Sequence, residues 1–152
     1  QVIGVSTPVN GTANIIHIKN IDVDNNDLMP ICIRMQIIDP SGGGALPNAD
    51  NYFSITLEQL YSSDGSTAIP INTTAGSTKL SSTTVHINNP TLVGSVREVE
   101  RWYPNADGEV LRWGTNDVLI VPPGNTLNVR YIGDHTSGTL YASVSFVMNR
   151  IN

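Results

Sequence analysis

The sequence predicts an all-β fold, an antiparallel two-sheet β-sandwich that is jelly-roll-like and has about eight strands. Three observations predict it. Turn signals recur at short intervals: Asn10-Gly11, Pro40-Ser41-Gly42-Gly43-Gly44, Asp64-Gly65, Asn89-Pro90, Asp107-Gly108, Pro122-Pro123-Gly124 and Ser137-Gly138. Short strands divided by such punctuation build sandwiches and barrels. The segments between the turns alternate apolar and polar residues with the period of two that marks a half-buried antiparallel strand. No stretch sustains a helical period, a heptad or an internal repeat. Composition agrees, because Thr favours strands while the abundant Asn, Ser and Gly favour turns and caps.

Along the chain the first strands are expected at Ile15–Lys19, where His17 sits between Ile16 and Ile18, and at Leu28–Ile38, which carries Cys32 between Ile31 and Ile33. Tyr52–Tyr61 follows, with Phe53, Ile55 and Leu57 alternating against Ser54, Thr56 and Glu58. A short helix near Leu57–Tyr61 ranks second there, because Asp64-Gly65 reads as a hairpin turn. In Thr83–Asn88, Val85 and Ile87 alternate with Thr84, His86 and Asn88. Ser95–Tyr103 alternates charges, Arg97 and Arg101 against Glu98 and Glu100, as a solvated strand face does. Val118–Val121 is expected to end at Pro122-Pro123, since neither proline can donate to a ladder. Thr126–Ile132 places Leu127, Val129 and Tyr131 on one face, and Gly133 to Gly138 is expected to join it as a hairpin to the clearest strand, Leu140–Met148. There Leu140, Ala142, Val144, Phe146 and Met148 share a face. Ser41–Ala49 reads as the longest flexible loop, at one end of the sandwich.

The 152 residues suit a single domain spanning 1–152, long enough to bury a core without disulfides or metal. Only 14% of residues are charged and 39% are apolar. The formal charge is -5, with two lysines, Lys19 and Lys79, and scattered arginines. Nucleic-acid binding needs a cluster of cations to neutralise phosphates, so it is set aside. An acidic membrane surface would repel the chain, and no apolar run approaches the ~20 residues that span a bilayer. The single cysteine, Cys32, cannot form an internal disulfide and reads as a small buried hydrophobe. The start, Gln1-Val2-Ile3-Gly4, has no signal-peptide pattern, and prior processing leaves secretion open.

Chemistry-bearing constellations are sparse. Asp22, Asp24 and Asn26 are spaced like the start of a calcium loop, but the sixth and twelfth positions hold Asp27 and Ile33 rather than Gly and Glu. A solvated acidic turn is the plainer reading, and a non-EF calcium site is a weak alternative. His17, His86 and His135 show no ligand spacing. Nucleophile and phosphate-loop signatures are absent, so no catalytic residue and no cofactor is expected. Trp102, Tyr103 and Trp113, with Arg101, cluster around the turn Pro104 to Gly108. They can be core aromatics, an interface anchor, or a sugar-stacking platform. Gln1–Thr7, apolar at Val2, Ile3 and Val5, can add a strand to a neighbour or serve as an edge strand of its own sheet. Asn10-Gly11-Thr12 and Asn72-Thr73-Thr74 are sequons, meaningful only in a secretory host.

From Gly65 to Phe146 the chain resembles small β-rich virion accessory proteins of tailed bacteriophages. The likeness rests on Asp64-Gly65-Ser66-Thr67-Ala68-Ile69-Pro70-Ile71, on Asn88-Asn89-Pro90-Thr91-Leu92-Val93-Gly94, and on the turn Leu119-Ile120-Val121-Pro122-Pro123-Gly124-Asn125-Thr126-Leu127-Asn128-Val129, with the closing alternating strand. The resemblance implies a decoration or minor capsid protein on the virion surface, with no catalytic residues. Its partners would be the major capsid protein or other virion proteins and further copies of itself. The other expectation is an extracellular carbohydrate- or receptor-binding module that takes a glycan receptor.

Overall fold

The computed structural model describes residues 1–73, 81–114 and 118–149. Among the described residues twelve strands follow one another: β1 (Val2–Ser6), β2 (Gly11–Asn20), β3 (Asp27–Ser41), β4 (Tyr52–Leu57), β5 (Leu60–Ser63), β6 (Ser66–Ala68), β7 (Thr83–Ile87), β8 (Thr91–Val93), β9 (Arg97–Trp102), β10 (Leu111–Trp113), β11 (Thr126–Gly133) and β12 (Ser137–Asn149). They form a four-stranded sheet in the order β1-β12-β3-β10, a six-stranded sheet in the order β6-β7-β2-β11-β4-β9, and a small β5-β8 ribbon.

All strand pairs are antiparallel. The order of eight of them is that of a jelly roll. In the four-stranded sheet β12 lies between β1 and β3, while in the six-stranded sheet β11 lies between β2 and β4. The last two strands, β11 and β12, do not pair as the expected hairpin: the loop between them crosses from one layer to the other, and each strand is flanked by strands from the first part of the chain. Strands β10 and β9 then complete the margins beside β3 and β4. The predicted fold class holds, with additions. Between β4 and β9 the chain makes an excursion that carries β5 to β8. Its hairpin β6–β7 extends the six-stranded sheet beyond β2.

The core between the layers follows from the alternation. Leu127, Val129 and Tyr131 of β11, Phe53 and Ile55 of β4, Ile33, Met35 and Ile37 of β3, and Leu140 and Val144 of β12 are buried in one cluster. Phe53 meets Tyr131 edge to face, with ring centroids 5.2 Å apart, the geometry aromatic quadrupoles favour. Such burial, at about 25 cal/mol per Å² of apolar surface, is the main force holding the layers together.

Four expectations change. The stretch Tyr52–Tyr61 is broken at Glu58, whose φ of 77° turns the chain out of the sheet, so β4 and β5 are separate. The alternative helix there does not form, and β5 is a strand. Val118–Val121 is not a ladder strand. Val121 alone makes a bridge, to Leu28, before the prolines stop further pairing. The loop after β3 is tied down rather than free: Gly44 N donates to Asp134 Oδ2 at 2.9 Å and Thr136 N to Ser41 O at 3.0 Å. The N-terminal segment pairs with its own β12 from Val2↔Val144 to Ser6↔Leu140, so it is an edge strand of its own sheet. Gly4 allows this seating, because a Cβ there would meet Ile16 Cγ1 at 2.4 Å and Ile15 O at 2.7 Å. Lys79 and Thr74 of the second sequon lie outside the described residues.

Candidate functional site

The outer face of the six-stranded sheet should be polar and wet by alternation, yet much of it is buried. Ser54 and Thr56 of β4 and Thr126 and Asn128 of β11 are all at most 1% exposed. At one end the excursion covers them. The backbone carbonyl of Gln59 accepts from Thr126 Oγ1 at 2.7 Å and from His17 Nε2 at 3.0 Å. Asn128 Nδ2 donates to Asn14 Oδ1 at 3.0 Å and also reaches Thr56 Oγ1 and Gln59 Oε1, each at 3.4 Å.

At the other end lies an open cluster of charge and aromatic rings. Register puts Arg130, Ser54 and Arg101 in one row across β11, β4 and β9. Glu98 stands in the next row, opposite Thr56. Its Oε2 accepts from Ser54 Oγ at 2.7 Å. Its Oε1 binds Arg101 through Nε at 2.9 Å and Nη2 at 2.7 Å, and Arg130 Nη2 lies 3.8 Å from Oε2. Burial opposes ionisation of Glu98 and is the largest single influence, but the Ser54 hydroxyl and the two guanidinium groups together outweigh it. The carboxyl is held below its ordinary value. Two guanidinium groups face the Glu98 carboxylate here, and Glu100 Oε1 accepts from Arg101 N at 3.3 Å, so the formal charges of the cluster balance.

Arg101 also lies over the Tyr52 ring, 4.0 Å from its centroid, a cation–π contact. Tyr103 packs beside Tyr52 with centroids 5.7 Å apart and rings tilted by 50°. Its hydroxyl is 3.5 Å from Arg101 Nη1. The Nε of Arg130 is buried without a partner among the described residues. Ring faces and a guanidinium plane held by a carboxylate are the groups this patch presents to a partner molecule. Arg and Tyr in such settings dominate interface energies.

Of the residues singled out in the sequence, Arg101 and Tyr103 join this cluster. Trp102 turns the other way, partly buried against the core, in register with Phe53. Trp113 belongs to the opposite sheet and is 4% exposed. Of the three readings, Trp102 and Trp113 follow the core one, and the platform of Trp102, Tyr103 and Trp113 is not assembled, because β9 and β10 diverge into different layers after the turn. Tyr52, Ser54, Glu98 and Arg130 complete the site instead. Their signal was the polar half of three strands, which reads as ordinary solvated surface until the strands are placed side by side.

Val2 is buried, whereas Ile3 and Val5 face outward on the other sheet. The Asp22–Asn26 turn is internally satisfied: Asp22 Oδ1 accepts from Asp24 N at 2.9 Å and from Asn26 N and Nδ2 at 3.0 Å each. Hydrogen bonding, first from the Asn26 backbone, lowers the Asp22 carboxyl below its ordinary value. Among the described residues no group of three or more His, Cys, Asp or Glu is placed to hold a metal ion. Cys32 is half-buried rather than fully enclosed. The histidines, distant in sequence, are partly united, since His17 and His86 sit opposite each other on β2 and β7. No family model, curated protein or solved structure matches this chain.

Proposed function

We propose that the chain is a structural virion protein, a capsid decoration or minor capsid protein that binds the shell and associates with itself. The observation that carries this reading is the outer-sheet cluster of Arg101, Tyr52, Tyr103 and Glu98 on a jelly-roll frame. It is a ready-made contact patch on a weakly charged surface. A surface poor in lysine loses little side-chain entropy and little charge solvation when it is covered. Repetition on a lattice multiplies weak single contacts. The test is co-sedimentation of the purified chain with shells of the major capsid protein encoded in the same genome. The expected result is binding at a fixed ratio, weakened at least tenfold in Arg101→Ala and Tyr52→Ala, with β-rich circular dichroism intact. Absence of shell binding by the parent chain would overturn the reading.

A second reading is favoured by one observation, the paired tilted rings of Tyr52 and Tyr103 beside a guanidinium. Sugars stack on such rings and hydrogen-bond to such groups. Glycan-array binding lost in Tyr103→Ala, with no affinity for shells, would favour a carbohydrate- or receptor-binding module.

A further inference from the structure

The outer face of the four-stranded sheet is unlike the clad face of its partner. Register aligns Ile3, Ser143, Arg34 and Arg112 in one row across all four strands. Val5, Tyr141 and Gln36 form the next. Ile3, Val5, Tyr141 and the neighbouring Val110 are 40–50% exposed. Together with the two arginines, most of these line a groove of about 370 Å³. Arg34 and Arg112 are direct cross-strand neighbours, both exposed, and neither has an ion pair among the described residues. Like charges placed opposite each other cost stability. Neither row contains an acidic residue, so the pair is uncompensated in a protein of net charge -5.

A groove with apolar walls and two free guanidinium groups calls for an acidic occupant with an apolar tip. The chain carries one. Between β2 and β3, Val23 is 89% exposed, more than any other large apolar residue described, and it is flanked by Asp22 and Asp24. The hydrogen bonds that Asp22 Oδ1 accepts hold this turn in a set shape, so little conformational freedom is left to lose on docking. Face-to-face stacking of two such sheets is disfavoured, because it would bring four arginines together.

We infer that the Asp22–Val23–Asp24 turn of one copy docks into the Arg34/Arg112 groove of a second copy, head to tail. Val23 meets Ile3, Val110 and Tyr141, and Asp24 meets the guanidinium pair. A contact of this kind joins different surfaces of the two copies, so it closes into a ring or continues along a surface. The inference rests on the proposed structural role, and adds the route by which copies join.

Sedimentation of the full chain across concentration and salt tests it. The expected result is concentration-dependent association that weakens as salt screens the charges. Val23→Ser raises the dissociation constant roughly tenfold. Arg34→Glu/Arg112→Glu and Asp24→Arg each sediment as monomers alone, yet associate when mixed, because the charge reversals match across copies. That recovery also shows both variants to be folded. A parent chain that stays monomeric at every concentration would overturn the inference. Association unaffected by these substitutions, or not recovered on mixing, would do so too. If such a chain still binds shells as a monomer, only the head-to-tail contact fails and the structural role stands.

Discussion

His17 and His86 face each other across β2 and β7, with ring centroids 6.0 Å apart and planes tilted by 45°. His17 Nε2 lies 3.0 Å from the Gln59 carbonyl and must donate to it, which leaves Nδ1 as a buried lone pair without a partner among the described residues. Burial, with the neighbouring His86 and Lys19 charges adding to it, holds His17 below its ordinary value of 6.5, although the Gln59 bond partly opposes this. Burial lowers His86 as well, stacked on Tyr61 at 3.5 Å. The unfolded chain therefore binds protons more readily than the folded one. Stability is full above about pH 6.5 and declines as pH falls from there through the depressed folded values. Denaturation midpoints measured from pH 7.5 to 5 should drop, and His17→Gln should make that slope shallower.

Asn128 is the hub beneath the excursion, and Asn128→Ala leaves Asn14 Oδ1 without this donor and Thr56 Oγ1 and Gln59 Oε1 with only each other, in a dry setting. The expected loss is about 2 kcal/mol, read from urea unfolding.

Tyr131 reaches through the end of the core to His135 Nδ1 at 2.6 Å and to Asn51 Oδ1 at 3.0 Å. The same Asn51 oxygen accepts from Asp134 N at 3.0 Å, and Asp134 in turn holds Gly44. Tyr131→Phe keeps the ring and removes the hydroxyl. A loss of about 1 kcal/mol is expected, with faster amide exchange concentrated in residues 42–51 and 133–136.

Gly138 has a φ of +115° and sits where the β3–β12 register shifts. A Cβ there would approach Asp39 O to 2.7 Å and Ile38 O to 2.8 Å. Gly138→Ala should cost about 1–3 kcal/mol, whereas Gly124→Ala, also at positive φ but in open space, should cost less. Paired denaturation curves of the two variants separate close approach from backbone strain alone.

The jelly-roll frame was legible where one sheet face meets the core and the other meets water. Val85 and Ile87, Leu127 to Tyr131, and Leu140 to Val144 all follow that rule. It failed where a second layer of chain covers the supposed wet face. Ser54, Thr56, Thr126 and Asn128 are polar by pattern and buried in fact, because the excursion between β4 and β9 packs over the last three and Glu98 reaches over Ser54. Alternation cannot foretell such a cover, since it reports on one strand at a time. Val118–Val121 misled because a short apolar run before two prolines looks like a strand whether or not a neighbour lies within reach. The contact cluster was half visible. Arg101 and Tyr103 drew notice through their aromatic neighbours, whereas Tyr52 and Arg130, about 50 and 30 residues away in sequence, join them only through the ladder register.

The outermost strand of the larger sheet, β9, has no neighbour beyond it among the described residues. It is also the stretch in which Arg97, Glu98, Glu100 and Arg101 crowd into six residues. A foreign strand zipping onto that margin would have to strip water from four ionic groups to gain a few main-chain bonds, a poor exchange. That charged margin thus keeps the molecule from being converted into fibrils through its open rim.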